Sequence, residues 1–238
     1  VAVADRNTLA GAVRAHQAAK QAGIKFVVGA RLDLQDAPSL LCFPTDRAAY
    51  GQLSKLITLG RRRAAKGDCK IYLEDVFAHS GGQLFISLPP KESERELDTA
   101  YTAHLHRLRE VLGRDVWIAA RCRYHGDDAA RLWSLAQLSV EANIPLVATN
   151  NVRMHVPDRK ALMDVLTCIR KHCSVDQAGF RLAANAECHF KRPEEMERLF
   201  RRHPEAIIQT MAIAERCTFS LDELRYEYPD DEAPTVTT

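Results

Sequence analysis

Residues 115–149, DVWIAARCRYHGDDAARLWSLAQLSVEANIPLVAT, decide the fold class of this 238-residue chain. Their pattern predicts a buried strand at residues 115–122, an amphipathic helix at 127–142 and a fully apolar strand at 145–149. Strands that alternate with helices favour parallel pairing through right-handed crossovers. This stretch therefore predicts an α/β fold built on parallel strands.

The same alternation extends in both directions. A turn at Asp36-Ala37-Pro38 predicts a hairpin inserted into it, between strands at residues 24–34 and 39–43. A break near His203-Pro204 divides residues 193–217 into two helices. The remaining predicted strands cover residues 1–5 and 83–88, and the remaining predicted helices cover residues 8–21, 46–64, 92–112 and 158–171.

Composition excludes several classes of protein. Hydrophobic residues make up 46% of the chain and the formal net charge is +2, so the chain is globular and has no strong overall field to attract nucleic acid. The seven cysteines include no C-x-x-C pair, which argues against a zinc ribbon and favours free thiols, Cys168 and Cys173 among them, in a reducing cytoplasm. No apolar run reaches membrane-spanning length, so we expect no membrane partner.

Candidate functional residues follow the predicted strands. In parallel α/β barrels, functional side chains project from the carboxyl ends of the strands and from the loops that follow them. Four such ends are readable here: Asp5-Arg6-Asn7, Gly29-Ala30-Arg31, Arg121-Cys122-Arg123 and Asn150-Asn151-Val152-Arg153.

Several sequence blocks carry a family resemblance: Asp5 with Thr8-Leu9-Ala10-Gly11, TDRAAYGQLSKLITLGRRRAAK at residues 45–66, DDAARL at 127–132, and AIAERCTFSLDELRYEYP at 212–229. Through them the chain resembles the error-prone branch of the C-family bacterial DNA polymerases, the group of the polymerase III alpha subunit. The resemblance implies a polymerase and histidinol phosphatase (PHP) domain, a distorted (β/α)7 barrel that is incomplete at its N-terminus. It implies a barrel without its first strand at residues 1–192, a helical extension at 193–219, and a linker towards a missing polymerase palm domain at 220–238.

The resemblance also identifies the positions of a metal site. PHP barrels with an intact site bind zinc or manganese through His, Asp and Glu. Only Asp5 keeps a ligand, because Arg6, Arg31, Arg121, Arg123, Asn151 and Arg153 stand where other members carry ligands. Guanidinium has no lone pair to donate and repels cations, so we expect no metal, no other cofactor and no catalytic residue in this chain. His125 and His155 lie near these positions but are too few to replace the ligands.

The arginines admit two interpretations. Arg31, Arg121, Arg123 and Arg153 either form an anion pocket suited to phosphate, or each pairs with a neighbouring carboxylate or faces water. Arg61, Arg62 and Arg63 end a predicted helix, where the macrodipole favours positive charge, although DNA contact is an alternative. Asp127 and Asp128 are predicted to cap the helix that they begin.

Three functions follow from these observations. The first is a non-catalytic PHP domain of an error-prone DNA polymerase, whose partners are the remainder of the polymerase chain and, through it, DNA and mutasome proteins. The second is a stand-alone metal-dependent phosphoesterase. The third is an anion-binding or nucleic-acid-binding module that uses the arginines.

Overall fold

The computed structural model describes residues 1–90 and 99–225. Its centre is a six-stranded mixed sheet in which the strands are ordered as they occur in the chain. β1 and β2 pair in parallel, as do β4 with β5 and β5 with β6, whereas β3 runs antiparallel to both of its neighbours. The strands are β1 (Ala2–Arg6), β2 (Val27–Leu32), β3 (Leu40–Pro44), β4 (Gln83–Ser87), β5 (Val116–Ala120) and β6 (Leu146–Ala148).

This sheet confirms the predicted α/β fold and its inserted hairpin. The antiparallel pairing of β2 with β3 is that hairpin. The sheet curls into a half-barrel whose two edges are β1 and β6, so the barrel is incomplete as the sequence predicts. The carboxyl ends of β1, β2, β5 and β6 all lie along one rim, which brings the four candidate segments to the same side of the molecule.

The helices agree with the sequence prediction except for the short ones. Helices α3 and α7 were not predicted, because six and four residues are too few to show a periodic pattern. The predicted helix at residues 92–112 begins outside the described residues and is observed from Thr99 onward. The helices are α1 (Ala12–Gln21), α2 (Arg47–Arg62), α3 (Leu73–Ala78), α4 (Thr99–Leu112), α5 (Asp128–Glu141), α6 (Lys160–Lys171), α7 (Val175–Ala178), α8 (Pro193–Leu199) and α9 (Pro204–Arg216).

The two faces of the sheet bury separate hydrophobic clusters. Leucines of α2, α4 and α5 pack on one face, where Leu53, Leu105 and Leu135 are almost completely buried. Helix α9 covers the other face through Ile213 and Cys217. The helical extension therefore packs against the barrel strands and does not stand apart from them.

The start of the predicted linker is also packed. Phe219 is buried beside the ring of Tyr50, with 4.6 Å between the ring centroids. Leu221 and Leu224 pack against the same small cluster, which anchors residues 220–225. The rest of that segment, residues 226–238, lies outside the described residues. None of the described helices has the length and apolarity needed to cross a membrane.

Candidate functional site

Two candidate arginines meet at the ends of β1 and β2. Arg6 and Arg31 are register partners on these parallel strands. Both contact Asp33: Arg31 Nε lies 2.6 Å from its Oδ1, and Arg6 Nη1 lies 3.5 Å from its Oδ2. Ser39 completes the arrangement, because its hydroxyl donates to Asp33 Oδ1 at 2.7 Å and accepts from Arg31 Nη2 at 3.1 Å. Arg31 is therefore held by a carboxylate that is itself hydrogen-bonded.

The electrostatics of Asp33 agree with this geometry. Burial alone would raise the pKa of its carboxyl group, but the hydrogen bonds from Ser39 and Arg31 and the charges of Arg31 and Arg6 outweigh burial. The pKa of Asp33 consequently lies below its usual value. Asp33 stays ionised at neutral pH and neutralises part of the positive charge of the two arginines.

Asp5, which the sequence resemblance predicts to be a ligand position, is hydrogen-bonded to the backbone. Its Oδ2 accepts a hydrogen bond from Gly11 N at 3.0 Å, just before α1 begins. The approach is so close that a Cβ atom at position 11 would lie 2.4 Å from this oxygen. The contact explains why α1 begins at Ala12 and not at the predicted Thr8, and it gives Asp5 a structural role.

Arg121 follows β5 and is partly buried. Burial lowers the pKa of its guanidinium to about 10, and repulsion from Arg131, Arg153 and Arg31 contributes in the same direction. At neutral pH the group therefore remains charged. Within the described part of the chain, no carboxylate lies within hydrogen-bonding distance of Arg121. Arg121 is thus a positive charge surrounded mainly by other positive charges.

Arg123 has a different environment, because Asp127 and Asp128 both act on it. The Asp128 carboxylate accepts from the backbone N of Arg123 at 2.9 Å and of Tyr124 at 2.7 Å. Asp127 occupies the N-cap position of α5 but makes no side-chain cap. The prediction that these aspartates cap the helix is therefore wrong: Asp128 instead fixes the loop that precedes it.

The loop after β6 presents Asn151 and Arg153. Asn151 is exposed and has a φ of 46°, a left-handed conformation that asparagine tolerates better than most residues. The Arg153 backbone N donates to Cys188 O at 2.8 Å, while its side chain is exposed. Backbone contacts thus fix the loop and leave the Arg153 guanidinium at the rim.

Helix α2 brings its terminal arginines to the same region. Arg61 Nη2 donates to Asn7 O at 3.2 Å, and Arg63 Nη1 lies 2.5 Å from Asp75 Oδ2. Arg62 is exposed. Two of the three arginines thus have partners within the fold, which supports a structural role for them.

Sequence reasoning missed three further participants. Asp33 was readable, since it lies two residues after Arg31 and so on the same side of an extended strand. Arg131 lies on α5 and donates to Pro90 O at 2.8 Å, and Arg170 lies on α6 and acts on Arg6 by repulsion. Nothing in the sequence pattern indicates that these two helical arginines reach the strand ends. We use the term arginine cluster for Arg6, Arg31, Arg121, Arg131, Arg153 and Arg170.

The residues at this rim do not fit the metal cluster of PHP barrels. The side chains at the strand ends are mainly guanidinium and amide groups, which cannot supply the acidic and imidazole ligands of such a cluster, and the Asp5 carboxylate already accepts a hydrogen bond from a backbone amide. Across residues 1–90 and 99–225, no group of three or more His, Cys, Asp or Glu side chains could hold a metal. His125 and His155 are exposed. The cysteines there carry free thiols; Cys168 is buried and Cys173 partly buried.

The curled half-barrel places the candidate positions along one rim and defines the chain as an incomplete α/β barrel. The chain is 47% identical to an error-prone DNA polymerase of Caulobacter vibrioides over 98% of its own length, and 46% identical to that of a Bradyrhizobium strain over the same share. Error-prone DNA polymerase 1 of Agrobacterium fabrum is 42% identical over 97% of the chain. These similarities confirm the resemblance predicted from the sequence. The chain spans about a fifth of the length of these relatives, 21% in each case.

Two further comparisons add little. No protein-family profile matches the chain. A solved structure of a proposed metal-dependent phosphoesterase from Bifidobacterium adolescentis is similar with a TM-score of 0.46 and 13% identity, over 63% of this chain and 76% of that one. A similarity of this size carries no argument about activity.

Proposed function

We propose that this chain acts as a non-catalytic PHP-type domain of an error-prone DNA polymerase and that its role is structural. The observation that carries the proposal is the presence of arginines at the strand ends, where they cannot bind a metal, in a chain that matches such polymerases along nearly its whole length. Nucleotide transfer would then belong to the rest of the polymerase. The same donor set disfavours a stand-alone metal-dependent phosphoesterase, because arginine cannot bind the metal that such chemistry needs.

An exposed apolar surface supports contact with the rest of a polymerase. Helix α6 carries Leu162, Val165, Leu166 and Ile169 at positions that share one helical face, and these side chains are 44–65% exposed. Phe180, which follows α7, is fully exposed. We call these five residues the α6 apolar face. An exposed apolar surface of this kind marks a contact site more often than a solvated one.

Under this proposal, the α6 apolar face contacts another part of the polymerase chain. The relatives offer such a part, since four fifths of their length is not matched by this chain. DNA and other mutasome proteins would be reached through that remainder. We further propose a division into a barrel at residues 1–192, a helical extension at 193–219 that covers one sheet face, and a connecting segment from residue 220. The cytoplasm is the proposed location, as expected for a DNA polymerase.

A chimaeric polymerase tests the structural role. The matching segment of the Caulobacter vibrioides enzyme is replaced by this chain, and primer extension is measured on the purified product. We expect the chimaera to extend primers, and the double substitution Leu166→Glu and Ile169→Glu to reduce its yield and its extension rate. Val140→Glu on α5, where Val140 is 81% exposed, serves as the control and is expected to change neither. An inactive chimaera, or a double variant equal to its parent, would count against the proposal.

A further inference from the structure

Arg121 and Arg153 differ from the other candidate arginines in their charge environment. Arg31 is paired with Asp33, and Arg123 lies under the influence of Asp127 and Asp128. Arg121 and Arg153 have no hydrogen-bonded carboxylate within the described residues. Two guanidinium groups in this state have ten N–H donors between them and a net double charge, with Arg31 beside them.

The balance of charge across the whole arginine cluster points the same way. Asp33 is the one carboxylate that is hydrogen-bonded to the cluster in residues 1–90 and 99–225, and it serves Arg6 and Arg31. Arg131 donates to the backbone carbonyl of Pro90 and is hydrogen-bonded to no carboxylate among the residues that the structure describes. Like charges that lie close together repel one another, and the repulsion is stronger where the groups are partly buried, as Arg121 and Arg31 are. A bound anion would therefore stabilise the cluster.

The exposure of the cluster indicates what kind of anion fits. Arg121 is partly buried, whereas Arg6, Arg153 and Arg170 are exposed, so the cluster extends from the sheet rim to the surface. Guanidinium forks match the oxygens of both carboxylate and phosphate, and phosphate offers more oxygens and more charge to several arginines at once. A phosphate at the end of a molecule carries about two charges near neutral pH and exposes three oxygens, whereas a backbone phosphodiester carries one charge. The surplus of positive charge favours the terminal group.

We propose that Arg121 and Arg153, with Arg31 beside them, bind a terminal phosphate group, either as inorganic phosphate or as the phosphomonoester end of a nucleotide or DNA strand. This site does not depend on the proposed role in a polymerase and can be tested on the chain by itself. Arg121 supplies the partly buried fork, and Arg153 supplies the outer one.

Titration calorimetry with inorganic phosphate tests the site, in a sulfate-free buffer whose ionic strength is kept constant with sodium chloride. We expect saturable binding that weakens about tenfold or more in Arg121→Gln and several-fold in Arg153→Gln, as loss of a charge-assisted hydrogen bond predicts. Arg121→Lys keeps the charge without the fork, and its phosphate affinity is expected to lie between those of the original chain and Arg121→Gln. Circular dichroism and the thermal midpoint check the fold of each variant.

Arg114 provides a matched control. Arg114 is exposed and precedes β5, whereas Arg121 follows the same strand. Arg114→Gln therefore removes an equal charge at the amino end of the strand, away from the rim. Phosphate affinity in this variant is expected to equal that of the original chain. Absence of saturable binding in the original chain overturns the proposal. If Arg121→Gln does not fold, Arg153→Gln serves as the test, because Arg153 is exposed and its substitution should not affect folding. Unchanged phosphate affinity in Arg153→Gln also overturns the proposal.

Oligonucleotides distinguish a terminal phosphate from the nucleic-acid backbone. A short single-stranded oligothymidylate with a 5′-phosphate is expected to displace inorganic phosphate, and the same strand without that phosphate is not. Equal displacement by both strands would mean that the cluster binds backbone phosphodiesters, and would contradict the terminal-phosphate assignment. Displacement by neither, together with intact binding of inorganic phosphate, restricts the ligand to the free anion, which the proposal includes.

Discussion

Arg6 and Arg31 lie at matching register positions of two parallel strands and share one carboxylate, that of Asp33, at 3.5 and 2.6 Å. Adjacent positive side chains at a strand end would repel each other without this carboxylate. Asp33 therefore allows both strands to end in arginine. We predict that the stability of this rim and the proposed anion affinity are coupled through that single residue.

Asp33→Asn tests the coupling. Loss of the charged partner leaves Arg31 uncompensated, and we expect the free energy of unfolding to fall by about 1–3 kcal/mol in urea titrations at pH 7. Phosphate affinity is expected to rise, because a competing negative charge has gone. Ser39→Ala keeps the carboxylate and should produce only the smaller loss of one hydrogen bond. A variant as stable as the original chain would show that the pair contributes little.

The same residue predicts a dependence on acid. The pKa of Asp33 is lower in the folded chain than in the unfolded chain, so its stabilising effect is present above the unfolded pKa of about 4 and disappears as the pH falls through the lower folded value. The difference in unfolding free energy between the original chain and Asp33→Asn should therefore be constant from pH 5 to pH 7 and shrink below pH 4. A difference that persists unchanged at pH 2 would exclude the charge as its cause.

Gly11→Ala probes the structural role of Asp5. A Cβ atom at this position would lie 2.4 Å from Asp5 Oδ2, so the carboxylate must move and lose its hydrogen bond to Gly11 N. We expect a loss of about 1–3 kcal/mol of stability in chemical denaturation. Gly51→Ala in α2 is the control, because a Cβ there meets no atom within 4 Å. Helix propensity predicts a gain of up to about 1 kcal/mol for that variant.

The strand ends could be predicted from the sequence, and so could Asp33 as a neighbour of Arg31, but the other contacts could not. Period-two and period-3.6 patterns located the strands and longer helices. The use of Asp5 by Gly11 could not be predicted, because it depends on how closely α1 approaches β1. The approach of Arg131 and Arg170 to the rim depends on helix packing, which local sequence does not encode. Asp128 was misjudged because N-cap preferences do not show which amides lie nearest.

His104 makes stability sensitive to mild acid. Burial, followed by repulsion from Arg107, lowers its pKa to about 4, and its Nε2 has no hydrogen-bond partner in the described structure. His104 binds a proton near pH 6.5 in the unfolded chain and only near pH 4 in the folded chain. The free energy of unfolding therefore decreases as the pH is lowered from 6.5 to 4, by up to about 1.4 kcal/mol per pH unit. His104→Phe should remove this slope in urea titrations between pH 7 and pH 4.5. A slope that survives the substitution would assign it to other groups.

The α6 apolar face makes a prediction for the isolated chain. Leu166 and Ile169 are 56% and 65% exposed, so replacing both with Glu should change the unfolding free energy by no more than about 0.5 kcal/mol. Solubility and the monomer fraction in light scattering should increase, because an exposed apolar patch promotes association. Leu105→Glu on α4 is the contrast, since Leu105 is completely buried and its replacement should unfold the chain. Strong destabilisation by the α6 substitutions would mean that this face packs within the chain.

Manganese binding tests most directly the claim that this barrel rim has lost its metal chemistry. Mn²⁺ prefers oxygen and imidazole ligands to thiolates, so the seven cysteines do not confuse the result as they would with zinc. We predict that paramagnetic resonance of Mn²⁺ titrated into the purified chain will show no saturable site at micromolar concentrations, and that no hydrolysis of a phosphomonoester will accompany it. One or more stoichiometric Mn²⁺ sites together with turnover, both lost on substitution of Asp5 with Asn, would contradict the account.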